Sequence, residues 1–165
     1  PEACAVRRWG FCGLLERVER GEIDRLFIAA PPGSAKTTFV SWAFPAWYLG
    51  RNQPNTVIFG THTADFAAKW GRKVRNTIAS EKYRVLFPKM GISDDSSAAD
   101  RWETTTGAEY MAAGVGGNVT GRRADIIILD DLLRGIEDAD SQAVRDKICN
   151  RIICLVANGG NHRNF

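Results

Sequence analysis

The sequence predicts an α/β fold in which a mostly parallel sheet is sandwiched between helices. Short continuous apolar runs alternate with segments of helical periodicity, as expected for strands that are buried on both faces. The clearest of these runs is ADIIILD at residues 124–130. A length of 165 residues suits one domain, so we expect a single domain over residues 1–165.

The composition is that of an ordinary globular protein. Hydrophobic residues make up 44% of the chain and charged residues 25%, which argues against disordered, collagenous and fibrous classes. The apolar runs are too short to span a bilayer, so no membrane partner is expected. The 22 basic and 19 acidic residues give a net charge of +3, which permits nucleic-acid binding without indicating it. The chain begins at Pro1, and we expect it to be a truncated piece of a longer protein.

The amino-terminal part predicts a helix, a strand and a second helix. Apolar residues fall on one side of the segment 7–20, which predicts a helix that ends at Gly21. The run RLFIAA at 25–30 predicts a short buried strand, and the PPGS after it predicts a turn. The sequence becomes helical from Lys36, and Pro45 is expected to kink or end that helix because proline lacks an N–H donor.

The middle of the chain predicts a strand, a capped helix and a hairpin. The run NTVIFG at 55–60 predicts a second buried strand, and Thr63 is suited to cap the helix that follows. The Ser/Asp-rich segment 91–100 predicts a loop. The segments 101–106 and 109–113, with a glycine between them, predict the two strands of a hairpin.

The carboxyl-terminal part predicts a strand, a helix and a last strand. The segment 124–130 gives the strongest strand prediction of the chain. A helix is expected at about 141–149, and the apolar run at 151–157 predicts the final strand.

A candidate phosphate loop follows the first predicted strand. The P-loop pattern requires Gly, four residues, Gly, Lys and Ser or Thr; Lys36 and Thr37 match it, whereas Ala30 and Ala35 occupy the glycine positions. In such a loop the helix start binds phosphate, the lysine binds the β and γ oxygens, and the hydroxyl binds Mg²⁺. Ala35 is small enough for the backbone to approach phosphate, provided that its φ is negative. The expected nucleotide-binding residues are Pro32, Gly33, Ser34, Ala35, Lys36, Thr37 and Thr38.

The short motif does not decide the function by itself. An ordinary strand–turn–helix with a solvated lysine fits it equally well, because both glycines are missing.

An acidic pair, Asp130 and Asp131, follows the strongest predicted strand. Carboxylates at the carboxyl end of a buried parallel strand lie in the crevice where α/β proteins bind ligands. We expect Asp130 to hold Mg²⁺ opposite the hydroxyl of Thr37, and Asp131 to activate the water that attacks the γ-phosphate. An Asp-Asp turn without function is the alternative. Together, the loop and the acidic strand favour a nucleotide hydrolase over a small-molecule kinase, which needs no second acid to activate water.

Three longer segments contain these motifs: ERVERGEIDRLFIAAPPGSAKTTF, FPAWYLGRNQPNTVIFGTHTADFAAKWGRKVRNTI and RWETTTGAEYMAAGVGGNVTGRRADIIILDDLLRGIEDADSQAVRDKI. In the third, the segment GGNVTGR at 116–122 runs into the apolar strand and the Asp-Asp pair. Through these segments, over about residues 16–147, the chain resembles the ATPase (motor) domain of the terminase large subunit of tailed bacteriophages.

The resemblance implies a P-loop NTPase fold and a motor that hydrolyses ATP, with Mg²⁺, to package double-stranded viral DNA. Lys36 and Thr37 would belong to its Walker A segment, and Asp130 and Asp131 to its Walker B segment. It implies double-stranded DNA, the terminase small subunit and the portal protein as partners, and the bacterial host cytoplasm as location. Family members carry a carboxyl-terminal nuclease domain, which is expected to be absent here, so no nuclease activity is expected.

The chain also departs from the family pattern. Family loops often read Gly-Lys-Ser or Gly-Lys-Thr where this one reads Ala-Lys-Thr, and the tail at 151–165 matches poorly. Arg122 is a candidate catalytic arginine that would balance charge on a phosphate of its own or a neighbouring subunit. A surface arginine beside a strand is the alternative. The basic segment 69–75 is a further candidate for DNA phosphate contacts, against a solvated helix face.

Two other functions compete with the packaging motor. One is another nucleic-acid-dependent P-loop ATPase, such as a helicase, although no helicase motif set is recognisable. The other is an inactive prophage remnant, which the divergent tail and the absent nuclease half favour for the isolated chain.

Overall fold

The computed structural model describes residues 8–51, 54–115, 117 and 122–158, and in them five strands form one mixed sheet. The strands lie in the order β2-β3-β4-β1-β5. They are β1 (Thr56–Thr61), β2 (Ile92–Ser97), β3 (Arg101–Thr104), β4 (Glu109–Gly114) and β5 (Ile126–Leu129). β1 runs parallel to both β4 and β5, whereas β3 is antiparallel to β2 and β4.

The α/β class is confirmed, but the prediction of a mostly parallel sheet is wrong. Half of the strand pairs are antiparallel, because β2, β3 and β4 follow one another through connections of only a few residues. Such short connections can join only antiparallel neighbours, whereas the parallel pairs of β1 are joined through longer excursions of the chain. The predicted hairpin is present, with Gly107 at φ 81° between its strands.

Six α-helices and one π-helix accompany the sheet in the described part of the chain. They are α1 (Arg8–Glu19), the π-helix (Thr38–Ala43), α2 (Phe44–Arg51), α3 (Ala64–Ile78), α4 (Glu81–Leu86), α5 (Ile136–Asp140) and α6 (Gln142–Asn158). As predicted, Gly21, at φ 73°, follows α1, and the Thr63 hydroxyl caps α3 by accepting from the Phe66 N–H at 3.3 Å. Among the described helices, none has the length and apolar character that crossing a membrane requires.

The main core lies between one face of the sheet and the helices. Val57, Phe59 and Tyr110 point to this face and pack against residues of the π-helix, α2, α3 and α4. Tyr110 stacks on Trp102 with ring centroids 4.8 Å apart. On the opposite face, Ile58 forms a smaller cluster with strand residues and Ala124, to which no helix residue with a described side chain contributes. The sequence predicted helices on both faces of the sheet, but among the described side chains they pack on one face only.

Three predicted elements at the edges of the fold are wrong. Residues 25–30 form no strand, because they find no hydrogen-bonded neighbour in the described part of the chain, and Phe27 remains 70% exposed. The predicted loop at 91–100 contains β2, a polar edge strand that pairs irregularly with β3. The predicted last strand at 151–157 belongs to α6, which no glycine or proline interrupts between Gln142 and Asn158.

The helix that follows the candidate phosphate loop does not end at Pro45. It continues to Arg51 after a π-helical turn, in which the Phe44 N–H donates to the Phe39 carbonyl, five residues back. Proline has no N–H to donate and its ring clashes with the carbonyl four residues back in an α-helix, so a wider turn accommodates it. This turn contains Ser41, whose side chain is completely buried.

Candidate functional site

The predicted phosphate loop is an open turn that leads directly into a helix. The Ser34 N–H donates to the Pro31 carbonyl at 3.2 Å, and a Cβ added at Gly33 would meet no atom within 4 Å. The chain is helical from Lys36, and the Phe39 N–H makes a helical bond to the Ala35 carbonyl at 3.1 Å. The N–H groups of the first helical turn have no acceptor within the helix and are suited to bind an anion.

Ala35 does not meet the condition of a negative φ. Its φ is 61°, in the left-handed region, and Gly33 lies there as well at 79°. The loop therefore bends as a glycine-containing P-loop would, but an alanine occupies the position where the pattern has glycine. A left-handed conformation costs a residue with a Cβ about 1–2 kcal/mol.

The loop helix and the end of β5 meet at the carboxylate of Asp130. Lys36 Nζ donates to Asp130 Oδ1, and the Ser41 hydroxyl donates to Asp130 Oδ2 at 2.7 Å. The Thr37 side chain lies close enough to this carboxylate to lower its pKa. The structure thus brings together Lys36, Thr37 and Asp130, which sequence analysis had linked only through the motifs. A hydroxyl and a carboxylate close together are oxygen ligands of the kind that Mg²⁺ prefers, so these residues fit the predicted metal site.

Asp130 is charged although its side chain is only 3% exposed. Burial raises the pKa of this carboxyl, but the hydrogen bonds from Lys36 and Ser41, the nearby Thr37 side chain and the positive charge of Lys36 outweigh burial and lower the pKa overall. Lys36 is 32% exposed and so can reach a ligand in the open loop while its charge balances Asp130.

The end of β1 holds the acidic pair. The Asp130 N–H donates to the Gly60 carbonyl at 3.0 Å, which continues the parallel ladder beyond β5. The carbonyl of Asp131 accepts hydrogen bonds from Thr61 and His62. Asp131 has φ 55° and is exposed at the carboxyl end of the sheet. Both aspartates therefore lie where the sequence predicted, at the ligand-binding edge of an α/β sheet.

Sequence analysis missed Ser41, Thr61 and His62. Ser41 lies one helical turn after Thr37 and is completely buried. The available signal was a polar residue between the apolar residues Val40 and Trp42. Thr61 and His62 are polar residues at the carboxyl end of β1, the position that drew attention to Asp130 after β5.

Arg122 lies at the opposite end of the sheet. It lines a shallow cavity of about 260 Å³ with Thr56 and Glu109, the first residues of β1 and β4. The structure therefore does not bring Arg122 to Lys36 of its own chain, and its catalytic role stays a prediction. Gly116 and residues 118–121 of the segment before it lie outside the described residues.

The basic face of α3 is exposed at Lys69, Arg72 and Lys73. The Lys73 ammonium lies 3.8 Å from the ring centroid of Trp42 and 4.9 Å from that of Trp70. This packing gives Lys73 a structural role, and the predicted DNA contact stays a prediction.

Residues 27–153 match a family model described as terminase large subunit, T4likevirus-type, N-terminal. The match covers more than three quarters of the chain and includes the phosphate loop, β1, β5 and both aspartates. No curated protein and no solved structure matches the chain.

The conformation of Ala35 predicts that Ala35→Gly stabilises the protein. Glycine adopts a positive φ without the Cβ penalty, so the free energy of unfolding should rise by about 0.5–1 kcal/mol in urea titrations. The matched control is Ala43→Gly in the helix, which should lower it by about 0.5–1 kcal/mol. Equal destabilisation by both substitutions would show that residue 35 does not have a positive φ in solution.

The lowered pKa of Asp130 predicts a dependence of stability on acid. A group whose pKa is lowered on folding stabilises the fold above its unfolded pKa, about 3.9, and loses that effect as the pH falls through its folded pKa. The difference in unfolding free energy between wild type and Asp130→Asn should therefore narrow below about pH 4. Ser41→Ala removes only one hydrogen bond to the carboxylate. The difference in unfolding free energy between wild type and Ser41→Ala should therefore change less with pH than the difference between wild type and Asp130→Asn. A constant difference between pH 7 and pH 3 would contradict the charged state of Asp130.

Proposed function

The chain belongs to the terminase large-subunit family, in its T4-like amino-terminal type, and we propose that it is the ATP-hydrolysing motor that drives packaging of double-stranded DNA. The family match confirms the resemblance found in the sequence and supports a terminase role in DNA packaging. The observation that carries the motor proposal is the contact between Lys36 and Asp130. It joins the phosphate loop to the acidic strand across 94 residues of sequence.

In this proposal the loop and the start of its helix bind the phosphates of ATP. Lys36 contributes a positive charge at a helix start whose N–H groups have no helical acceptor. Lysine has three donors, so Lys36 can bind phosphate oxygens while it retains one hydrogen bond to Asp130. The remaining nucleotide-binding residues of the proposal are Pro32, Gly33, Ser34, Ala35, Thr37 and Thr38.

Thr37 and Asp130 are the proposed magnesium ligands, and the proximity of the Thr37 side chain to this carboxylate, which helps to lower its pKa, supports this assignment. Bound Mg²⁺ would neutralise charge on the phosphate oxygens. Ser41 keeps the Asp130 carboxylate oriented through Oδ2, while Lys36 bonds Oδ1. This division of roles follows from the burial of Asp130, which needs partners on both oxygens.

Asp131 is the proposed base that orients and activates water. Unlike Asp130 it is exposed, and no ion pair occupies its carboxylate among the described residues. The two adjacent carboxylates therefore have different environments, one buried and hydrogen-bonded and one open, as two different roles require. Arg122, at the far end of the sheet, is proposed to act on a neighbouring subunit. The terminase small subunit and the portal protein are proposed partners, and no nuclease activity is assigned to this chain.

Replacement of the loop lysine tests nucleotide binding. Lys36→Ala should weaken Mg-ATP binding about 10- to 100-fold, the effect of losing one or two charge-assisted hydrogen bonds. Calorimetric titration measures the affinity, with Lys89→Ala, an exposed turn lysine, as the matched control. Circular dichroism must show that the variant is folded, because Asp130 loses its cation. Equal affinities of wild type and Lys36→Ala would refute the binding site.

Replacement of the second aspartate tests hydrolysis. Asp131→Asn should bind Mg-ATP normally and lower kcat at least about 100-fold, because it lacks the carboxylate that accepts a proton. Asparagine tolerates the left-handed conformation of this position, so the backbone is preserved. Phosphate release is measured with and without double-stranded DNA, and the exposed Asp100→Asn is the control. Normal turnover by Asp131→Asn would refute its role as the base.

A further inference from the structure

We infer that His62, supported by Thr61, is a positioning residue that sets the direction of the Asp131 carboxylate. The inference rests on the proposed function, since it concerns the geometry of the proposed base. Sequence motifs do not identify either residue: Thr61 is the last residue of β1, and His62 follows it in the short connection to α3.

Three donors converge on the carbonyl oxygen of Asp131. The His62 ring donates through Nδ1 at 2.9 Å, the His62 N–H donates at 3.2 Å, and the Thr61 hydroxyl donates at 3.3 Å. A carbonyl oxygen can only accept, so Nδ1 must carry a proton. This arrangement exceeds what a parallel ladder alone provides, which is the single bond from the backbone N–H.

The backbone of Asp131 needs such support. With φ at 55°, it lies in a region that few residues other than glycine occupy, although aspartate tolerates it better than most. Strained conformations of this kind persist where neighbouring groups hold them, and they cluster at functional sites. Fixing the carbonyl fixes the peptide plane after Asp131, and with it the ψ angle of that residue.

The His62 ring is itself held in place. It packs against Phe66 of α3 with ring centroids 4.9 Å apart, and Phe66 contacts Trp70 edge to face. Thr61 is completely buried beside it. The packing of the ring on α3 therefore fixes the position of the Nδ1 donor relative to Asp131. In the described part of the chain, the ring makes no hydrogen bond to Lys36, Thr37 or Asp130.

These contacts separate two steps. The groups that bind phosphate and metal do not depend on His62, so its loss should leave Mg-ATP affinity unchanged. The direction of the Asp131 carboxylate does depend on it, and misplacing a catalytic group by about 1 Å can cost about 100-fold in rate. The effect of His62 should therefore appear in kcat alone.

Two substitutions distinguish positioning from packing. His62→Asn retains a donor near the position of Nδ1 but loses the ring that packs on Phe66. His62→Phe retains the ring packing but loses the donor. We expect His62→Phe to lower kcat about 10- to 100-fold and His62→Asn to stay within about threefold of wild type. Mg-ATP affinity should remain within about twofold for both, and thermal unfolding should rank His62→Phe at least as stable as His62→Asn.

The reverse ranking of kcat would overturn the inference. If His62→Phe has a higher kcat than His62→Asn, and kcat follows thermal stability, then the ring contributes packing and its Nδ1 donor does not position Asp131. Wild-type kcat in both variants would overturn it as well. Asp131→Asn, measured in parallel, separates this failure from failure of the proposed function. If Asp131→Asn is inactive while both His62 variants are normal, the base stands and only its positioning by His62 is wrong.

Discussion

The buried charge of Asp130 is the constraint on which the rest of the site depends. A carboxylate that is almost completely removed from water is costly unless ionic and hydrogen-bonding partners replace the lost hydration. Lys36, Thr37 and Ser41 provide these partners, and all three come from the first turns of one helix. The helix start must therefore lie against the end of β5, which is the arrangement that a nucleotide site needs.

This requirement also accounts for the irregular turn of the loop helix. Ser41 reaches Asp130 from the π-helical turn that precedes Pro45. Pro45, which was expected to kink or end the helix, follows a π-helical turn that presents the Ser41 hydroxyl to the buried carboxylate, and the helix continues beyond it. The helix departs from regular α-helical hydrogen bonding at the turn from which Ser41 bonds Asp130. Such π-helical turns are frequent at functional sites.

The sequence alone indicates the candidate site residues but not the long-range contacts that position them. Lys36, Thr37, Asp130 and Asp131 are found by local patterns, because each follows an apolar run or begins a helix. Ser41 and His62 are not found, since their bonds to the acidic pair span 89 and 69 residues and leave no local pattern. The strand errors have the same cause. Among the described residues, the apolar run at 25–30 has no strand partner and the polar run at β2 has one, so pairing, not composition, decides which becomes a strand.

The two non-glycine residues with positive φ in the described part of the chain, Ala35 and Asp131, each precede or follow a member of the Lys36–Asp130 pair. Strain on both sides of one ion pair implies that the pair and its neighbours hold the two loops in conformations they would not adopt alone. Asp131 is held by the donors of Thr61 and His62, and Ala35 by the helix that begins after it and by the contact of Lys36 with Asp130. Lys36 holds the first loop against the Asp130 carboxylate, whereas Thr61 and His62 hold the second through the carbonyl of Asp131. The two strained residues are therefore held by separate sets of contacts, one on each side of Asp130.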